Sequence, residues 1–571
     1  MSPTVLVDQG RARAVIRLPE SPSPLLETAA RELQEHLRAI SGALLPVVRG
    51  EAESASGPEI RLGRTPRTEA LLGPVDWSAL APDGVVLRAT PGGVVLAGAD
   101  DRGTLYAVYE FLDRHLGCRW LPRGVTHLPR RRTLDAAGLD VIYRPVFRYR
   151  EPFFSCVYDA QWAMRNRVNG HFFPLTAAQG GRLKYAGFVH TFFTLVPPAR
   201  FFERHPEYFS EVDGRRQPLQ LCLSHPEVLE LVIREVRRLL AEDPEARIVS
   251  ISQNDWAGYC TCPACRALDE AEGTPAASII RFVNAVAERL EADFPAILFD
   301  TLAYTYGITP PRTLRPRRNV IIRLCHLNGP CDGHPIESCP MNREYREQIR
   351  RWTAIASEVF VWDYFNNFSY YYMPYPNLDA ICADIALYAR SGVTGIFCQG
   401  DAQPMKGSGD MAELRAWVMA RLLWRPDLDG RAVIAEFLKL YYGPAARSIG
   451  AALEVLHEPV RQGAHITPYM PPAPETPFLA RPVLKAARAH FDEALRRAGD
   501  DAALRRRIED ARLPLDYIEA RSKLRFRVGP HRYAAVSPAG VKSYRRFLFR
   551  AMATGCEGLS ETDRQPIRES L

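Results

Sequence analysis

Four stretches of the chain set polar, ionisable and aromatic residues directly after short apolar runs. IVSISQNDWAGYC leads into Gln253, Asn254, Asp255 and Trp256. FVWDYFNNF leads into Asp363, Tyr364, Asn366 and Asn367, GIFCQGDAQP into Gln399, Asp401 and Gln403, and GFVHTFFTL places His190. This mixture suits a sugar. Carboxylates and amides hydrogen-bond its hydroxyls, and Trp or Tyr faces pack on the apolar side of the ring. Glycoside cleavage needs a carboxylic acid to protonate the leaving oxygen and a second group to stabilise an oxocarbenium-like state. Asp255 and Asp363 are the carboxylates available for this. Asn254 beside Asp255 has a further use. Where a substrate's own 2-acetamido group is the nucleophile, an amide can orient it while the neighbouring acid protonates the leaving group. The expected catalytic residues are therefore Asp255, Asn254 and Asp363. The expected substrate contacts are His190, Trp256, Tyr364, Asn366, Gln399, Asp401, Arg165 and Asn169. Blander readings stay open: an Asp after a strand is often a turn former or N-cap, His190 fits a structural histidine, and Tyr370 to Tyr372 fit the core.

Residues that converge in this way need a scaffold with many strand ends on one rim. From about Tyr143 to Trp424 strand patterns (Ile248–Ser252, Ile297–Thr301, Val320–Leu324, Val359–Trp362, Gly395–Cys398) alternate with helical ones (Glu227–Leu240, Ala277–Phe294, Asn342–Ile355, Leu378–Ser391). Several of the strands are continuously apolar, as strands covered on both faces are. Strand-helix alternation over this length predicts a (β/α)8 barrel, whose functional side chains sit at the C-terminal strand ends. A doubly wound sheet is the alternative. Before the barrel, residues 1–140 read as a small α/β domain. It has helices at Thr28–Ile40 and Thr104–Leu116, strands at Glu59–Leu62 and Gly84–Ala97, and Asp101 as a plausible N-cap. The barrel is expected over 141–429 and an α-helical domain over 430–571, with helices at 431–441, 445–460, 483–497 and 501–526.

Composition excludes several classes. The 571 residues are 47% hydrophobic and 24% charged, with a net charge of +7, which is an ordinary globular balance. The Arg residues are scattered, so no nucleic-acid surface is expected, and no apolar run is long enough to span a membrane. The N-terminus lacks a signal-peptide pattern, so a cytoplasmic location is expected. No G-x-G-x-x-G, P-loop, H-E-x-x-H or G-x-S-x-G pattern occurs, and no cofactor is expected. Twelve Cys are too few for a disulfide scaffold. Cys260, Cys262 and Cys265 form a tight C-x-C-x2-C group. Its spacing permits a metal knuckle with a distant partner such as Cys325, Cys331 or Cys339. Paired or unlinked thiols fit equally, and no metal site is assigned.

Several segments resemble a known bacterial family, the domain of unknown function 4838, part of which is glycoside hydrolase family 163. They are HTFFTLVPPARFFERHPEYFS (190–210), SISQNDWAGYCTCPAC (250–265), VFVWDYFNNFSYYYMPYPN (359–377) and MAELRAWVMARLLWRPDLD (411–429). In addition, RGTLYAVYEFLDRHLGCRWLP (102–122) is similar to the accessory α/β domain that precedes the barrel in hexosaminidase and α-glucuronidase families. The resemblance implies a retaining β-N-acetylglucosaminidase-type hydrolase acting on an oligosaccharide. In it Asp255 would be the acid, Asn254 the acetamide partner, and His190, Asp363 and Tyr364 the lining of the −1 subsite. One departure is Cys398, where the resemblance leads to Glu; if that Glu were essential, this protein would be altered or inactive. Two alternatives follow. One is a glycosidase for another sugar such as a uronic acid, whose carboxylate Arg150 or Arg165 would meet. The other is a non-catalytic carbohydrate-binding relative.

Overall fold

The computed structural model describes the chain apart from residues 1–3, 52–56, 328–330, 403–407, 529–532, 536, 564–565 and 571. Gln403 lies outside the described residues. The N-terminal part is built on β1 (Val15–Leu18), β2 (Val47–Arg49), β3 (Glu59–Leu62), β4 (Val85–Thr90), β5 (Gly93–Gly98) and β6 (Asp140–Tyr143), in the order β6-β4-β5-β3-β1-β2. The expected strand 84–97 is thus a hairpin, β4 and β5. Helix α1 (Pro24–Ser41) begins at Ser23, whose hydroxyl accepts from the Leu26 N–H, and ends at Gly42 in the left-handed conformation. Both are standard helix boundaries, and the Leu26, Ala29, Leu33, Leu37 and Ile40 face is buried. Helix α2 (Asp101–Glu110) is capped by Asp100 rather than by the expected Asp101, because the Asp100 carboxylate is the one that accepts from Gly103 N–H, at 2.6 Å. Gly98 and Gly103 let α2 lie directly on β5; a Cβ on Gly98 would come within 2.1 Å of the Gly103 carbonyl carbon.

Next come seven parallel strands: β7 (Tyr149–Phe153), β8 (Tyr185–Ala186), β11 (Ile248–Ser250), β12 (Leu298–Ala303), β13 (Val320–Cys325), β14 (Glu358–Tyr364) and β15 (Gly395–Gln399). An antiparallel hairpin, β9 (Phe209–Val212) and β10 (Arg215–Leu221), is inserted after β8. The sheet order is β7-β15-β14-β13-β12-β11-β8. From β8 to β15 the strands lie in chain order with no reversal, and β7 pairs with β15 as the first and last strands of a barrel do, which removes the doubly wound alternative. The sheet is curled. Tyr149, Phe153, Tyr185, Ile248, Ile321, Phe360 and Phe397, from six of the strands, meet in one inner cluster. The alternate residues, such as Val249, Phe299, Ile322, Val361, Ile396 and Cys398, face the helices.

Among the described residues no ladder joins the two edge strands, β7 and β8, so a curled seven-stranded sheet stands where a closed eight-stranded barrel is expected. The strands β7 and β8 are short, and neither carries a long apolar run in the sequence. Asn169 occupies the seam between them. Its N–H donates to the Arg150 carbonyl, its Oδ1 accepts from Arg150 N–H, and its own carbonyl accepts from Leu183 N–H. The outer layer includes α3 (Pro226–Glu242), α4 (Pro263–Glu272), α5 (Ala276–Leu290), α6 (Arg343–Thr353), α7 (Leu378–Arg390) and α8 (Ala412–Trp424).

The C-terminal part is α9 (Gly430–Tyr442), α10 (Ala446–Arg461), α11 (Arg481–Arg497), α12 (Ala502–Ser522) and α13 (Pro538–Ala553). The last expected helix stops at Ser522 rather than Phe526, and α13 was not expected. Among the described residues, no helix is long and apolar enough to cross a membrane.

Candidate active site

The rim formed by the C-terminal strand ends collects the site. Asp255 lies beyond β11 with its side chain 59% exposed. The Tyr304 hydroxyl, just past β12, donates to Asp255 Oδ1 at 3.0 Å, and His190 Nε2 lies 3.9 Å from the same oxygen. His190 follows β8 and has a positive φ of 54°, uncommon for a non-glycine residue. It is held there from two directions: its N–H donates to Ser252 Oγ at 2.9 Å, and Nδ1 donates to the Gln253 carbonyl at 2.7 Å. Because Nδ1 faces a carbonyl it carries the proton, which leaves Nε2 as the atom turned toward Asp255.

The loop carrying Asn254, Asp255 and Trp256 is pinned by β10. Gln220 Oε1 accepts from Asn254 N–H at 3.0 Å, and its Nε2 donates to the carbonyls of Asn254 and Trp256. Asn254 is 2% exposed and donates its Nδ2 to the Leu219 carbonyl at 3.0 Å. A carbonyl can only accept, so this contact fixes which end of the amide points away from β10: the Asn254 Oδ1. Trp256 is 47% exposed and edge-on to Phe193, with its Nε1 also donating to Leu219.

Across the rim is a carboxylate absent from the sequence expectations. Glu561, beyond α13, is tied to the loop after β14 by its N–H, which donates to the Phe368 carbonyl at 2.7 Å. Glu561 Oε1 accepts from Gln399 Nε2 at 2.8 Å, and Gln399 Oε1 accepts from Trp362 Nε1 at 2.6 Å. The Tyr469 hydroxyl reaches Glu561 Oε2 at 3.5 Å. Burial pushes the Glu561 carboxyl above its ordinary value and the negative charge of Asp255 pushes the same way, against the hydrogen bonds from Gln399 and Tyr469. Asp255 and Glu561 thus share one neighbourhood: Tyr304 donates to Asp255, Tyr469 to Glu561, and the charge of Asp255 acts on both Tyr469 and Glu561, with Tyr364 and Trp362 adding aromatic surface beside Glu561 and Gln399. Tyr364 stacks on Trp362, and burial raises its phenol, with Tyr304, Tyr469 and Glu561 nearby. No run of strand residues precedes Glu561 in GLSETDRQ, so no local pattern marks it.

Several expected site residues are used elsewhere. Asp363 falls on the outward parity of β14: Trp362 and Tyr364 face the inner side, and Asp363 faces the helices. Its Oδ1 meets His326 Nδ1 at 2.9 Å and the Tyr364 N–H at 2.8 Å, and its Oδ2 accepts from the Tyr388 hydroxyl at 2.6 Å. Asp401 is fully buried. It ties the loop after β15 to the one after β7 through Ser155 and Gly409, and burial pushes its carboxyl up to about 6. Asn366 is buried and accepts from the Asn367 N–H. Arg165 pairs with Glu32 of α1 at 2.9 Å, and Arg150 with the buried Asp83 at 2.9 Å, so both guanidiniums join the N-terminal part to the sheet. Asn169 fills the seam described above. Tyr371 and Tyr372 are core. Cys398 faces the helix layer while its neighbour Gln399 faces the site, so a side chain at 398 does not reach the rim.

Residues 120–453 match the family described as domain of unknown function DUF4838, more than half of the chain. The chain belongs to the DUF4838 family. Residues 8–111 of this DUF4838 protein match the glycosyl hydrolase family 67 N-terminus, the region expected to be an accessory unit. Among solved structures, it is similar to BtGH115A, a family GH115 4-O-methyl-α-glucuronidase with specificity for decorated arabinogalactans. The identity is 12% and the TM-score 0.56, over 91% of this chain and 73% of that one. That likeness shows a shared fold. CpGH84D (12% identity, TM-score 0.49, 96% of this chain and 91% of that one) and a mutant Streptomyces plicatus β-hexosaminidase in complex with GlcNAc (14%, 0.42, 77% and 92%) overlap more loosely. No curated protein matches the sequence.

Proposed function

We propose that this DUF4838 protein is a glycoside hydrolase in which Asp255 and Glu561 are the catalytic carboxylates. The observation that carries this is their meeting on one aromatic-lined rim, in environments that differ. The glycosyl hydrolase family 67 match and the fold shared with BtGH115A support the class. Glu561 is shifted toward its protonated form by burial and by Asp255, which suits the proton donor. Asp255 accepts the Tyr304 hydroxyl and is open to the rim, which suits the partner carboxylate that meets the sugar. Two carboxyls whose surroundings separate their roles are the working pair of a glycosidase. In this reading residues 1–140 are an accessory domain, 141–429 the catalytic domain, and 430–571 a helical domain that delivers Glu561.

The orientation of Asn254 favours an N-acetylhexosamine-containing substrate, as in the family 163 type. Its Nδ2 is committed to Leu219, and its Oδ1 is the end able to accept the N–H of a 2-acetamido group. If that group is the nucleophile, Glu561 remains the donor and Asp255, next to Asn254, is the carboxylate that orients and polarises the acetamide. The uronic-acid alternative loses both of its cations, because Arg150 and Arg165 are spent on Asp83 and Glu32.

The test compares Glu561→Gln and Asp255→Asn on a natural glycan and on an aryl glycoside with an activated leaving group. The donor's variant loses about 10²- to 10⁴-fold on the glycan and keeps activity on the aryl substrate. The expectation is that Glu561→Gln shows this pattern and Asp255→Asn fails on both substrates. The reverse pattern assigns the donor to Asp255. Full activity of both variants on the natural glycan sinks the proposal. An N-acetyl-thiazoline inhibitor that fails to bind removes the acetamide role of Asn254.

A further inference from the structure

We propose that Cys222, Cys260, Cys262 and Cys265 bind a single zinc ion, which fixes the loop carrying Asp255. The C-x-C-x2-C spacing left the fourth ligand open. The structure supplies it as Cys222, directly after β10, and not as Cys325, Cys331 or Cys339. The four Sγ atoms lie within 4.8 Å of one another, and all four residues are buried. Cys222 Sγ and Cys262 Sγ are 3.7 Å apart. That is too far for a disulfide and close to the separation of about 3.8 Å between two sulfurs on a tetrahedral zinc with Zn–S bonds of about 2.3 Å. A [4Fe–4S] cluster puts each cysteine on a different iron and a [2Fe–2S] cluster puts two on each of two irons, and both hold some of their cysteine sulfurs farther apart than the 4.8 Å found here. Four thiolates and no imidazole or carboxylate are a closed structural set with no open position.

The surroundings fit sulfurs that carry charge. Glu211 N–H donates to Cys260 Sγ at 3.3 Å, Arg216 Nη1 approaches the same sulfur at 3.8 Å, and Ser224 Oγ lies 3.0 Å from Cys265 Sγ. Cys262 is the N-cap of α4, so its sulfur sits by the positive end of that helix. A tetrathiolate zinc site has net charge −2, and these donors offset part of it. On binding, the four thiols release their protons and four Zn–S bonds form, with no redox change.

The link to Asp255 runs through β10. Cys222 directly follows the strand whose Leu219 and Gln220 hold Asn254 and Trp256 from one side. Cys260 and Cys262 close the same loop five and seven residues after Asp255, and Thr261 N–H donates to the Glu211 carbonyl at 2.8 Å. The ion thus clips the C-terminal end of the Asp255 loop to the β9–β10 hairpin, whose Leu219 and Gln220 already hold Asn254 and Trp256.

The experiment measures metal in the full-length protein, purified in reducing buffer without chelator, by elemental mass spectrometry. A second group, Cys331, His334, Cys339 and His465, also draws its ligand atoms within 4.8 Å, so equivalents are counted by difference. The Cys222→Ser, Cys265→Ser double variant is expected to lose one zinc equivalent that a Cys339→Ser variant retains. Cobalt substitution of the parent is expected to show the charge-transfer and d–d bands of a tetrahedral tetrathiolate ion. Cys262→His, which keeps four ligands, should hold one equivalent with shifted cobalt bands, and this separates metal loss from misfolding. Three results overturn the proposal: a parent without zinc, a double variant with unchanged zinc content, or a disulfide among the four cysteines in the reduced parent.

Discussion

Asp363 and Asp255 are both carboxylates at strand ends, and pleat parity gives them opposite surroundings. Successive residues of β14 alternate between the inside of the curled sheet and the helix layer. Asp363 takes the outer side and spends both oxygens on His326, Tyr388 and the Tyr364 N–H. It braces the end of β14, so that Tyr364 and Trp362 present their rings to the site. Asp363→Asn is expected to cost about 1.5–3 kcal/mol, the range for hydrogen bonds to a charged group, and to lower the thermal midpoint while leaving kcat/KM within a few-fold. Thermal melts paired with kinetics check this. An unchanged midpoint with activity lost a thousandfold would return Asp363 to the chemistry.

Among the elements, β7 carries the most unusual burden. Its middle residue, Glu151, is buried. It accepts from the Tyr149 hydroxyl at 2.7 Å and from the Phe172 N–H, and Gly170 leaves the space it occupies. Burial pushes its carboxyl up from the ordinary 4.5 to about 8. The sign follows from linkage: the folded chain holds a proton that the unfolded chain would release. The contribution of Glu151 to stability is therefore greatest at low pH and is lost as pH rises from 4.5 to about 8. Glu151→Gln, neutral throughout, is expected to flatten that decline and to stabilise the protein at the upper end of the range. Denaturant titrations across those pH values provide the check, and an unchanged slope would show that Glu151 is not the group responsible.

The whole molecule is arranged so that distant parts converge on one rim. Arg150 and Arg165 tie the N-terminal sheet to β7 and the segment after it, and the chain beyond α13 returns to lay Glu561 against Gln399. Residues 555–571 add Cys556 and Ile567 to a small cluster with Tyr372, Leu513 and Phe547, apart from the main core. A chain ending at residue 554 is expected to keep its circular dichroism and lose only part of its thermal stability, with glycan hydrolysis reduced as far as in Glu561→Gln. Full activity of the truncated chain would exclude Glu561 from catalysis.

Local physics made part of this molecule legible in its residues alone. Apolar runs and helical periodicity placed β11 to β15 and most of the helices, and strand-helix alternation implied strand ends sharing a rim. The segment after β11 stood out as polar, aromatic and close to a cysteine knuckle. Which strand-end residues face inward emerges on folding, because an Asp in a strand reads the same on either side of a pleat. Folding also pairs Arg150 with Asp83 and Arg165 with Glu32, partners 67 and 133 residues away in sequence, and sets Asn169 in the seam between β7 and β8. Glu561 and Cys222 became visible only once the chain had folded: their roles come from long-range contacts, across 162 residues to Gln399 and 40 to Cys262, and no local spacing encodes such a meeting.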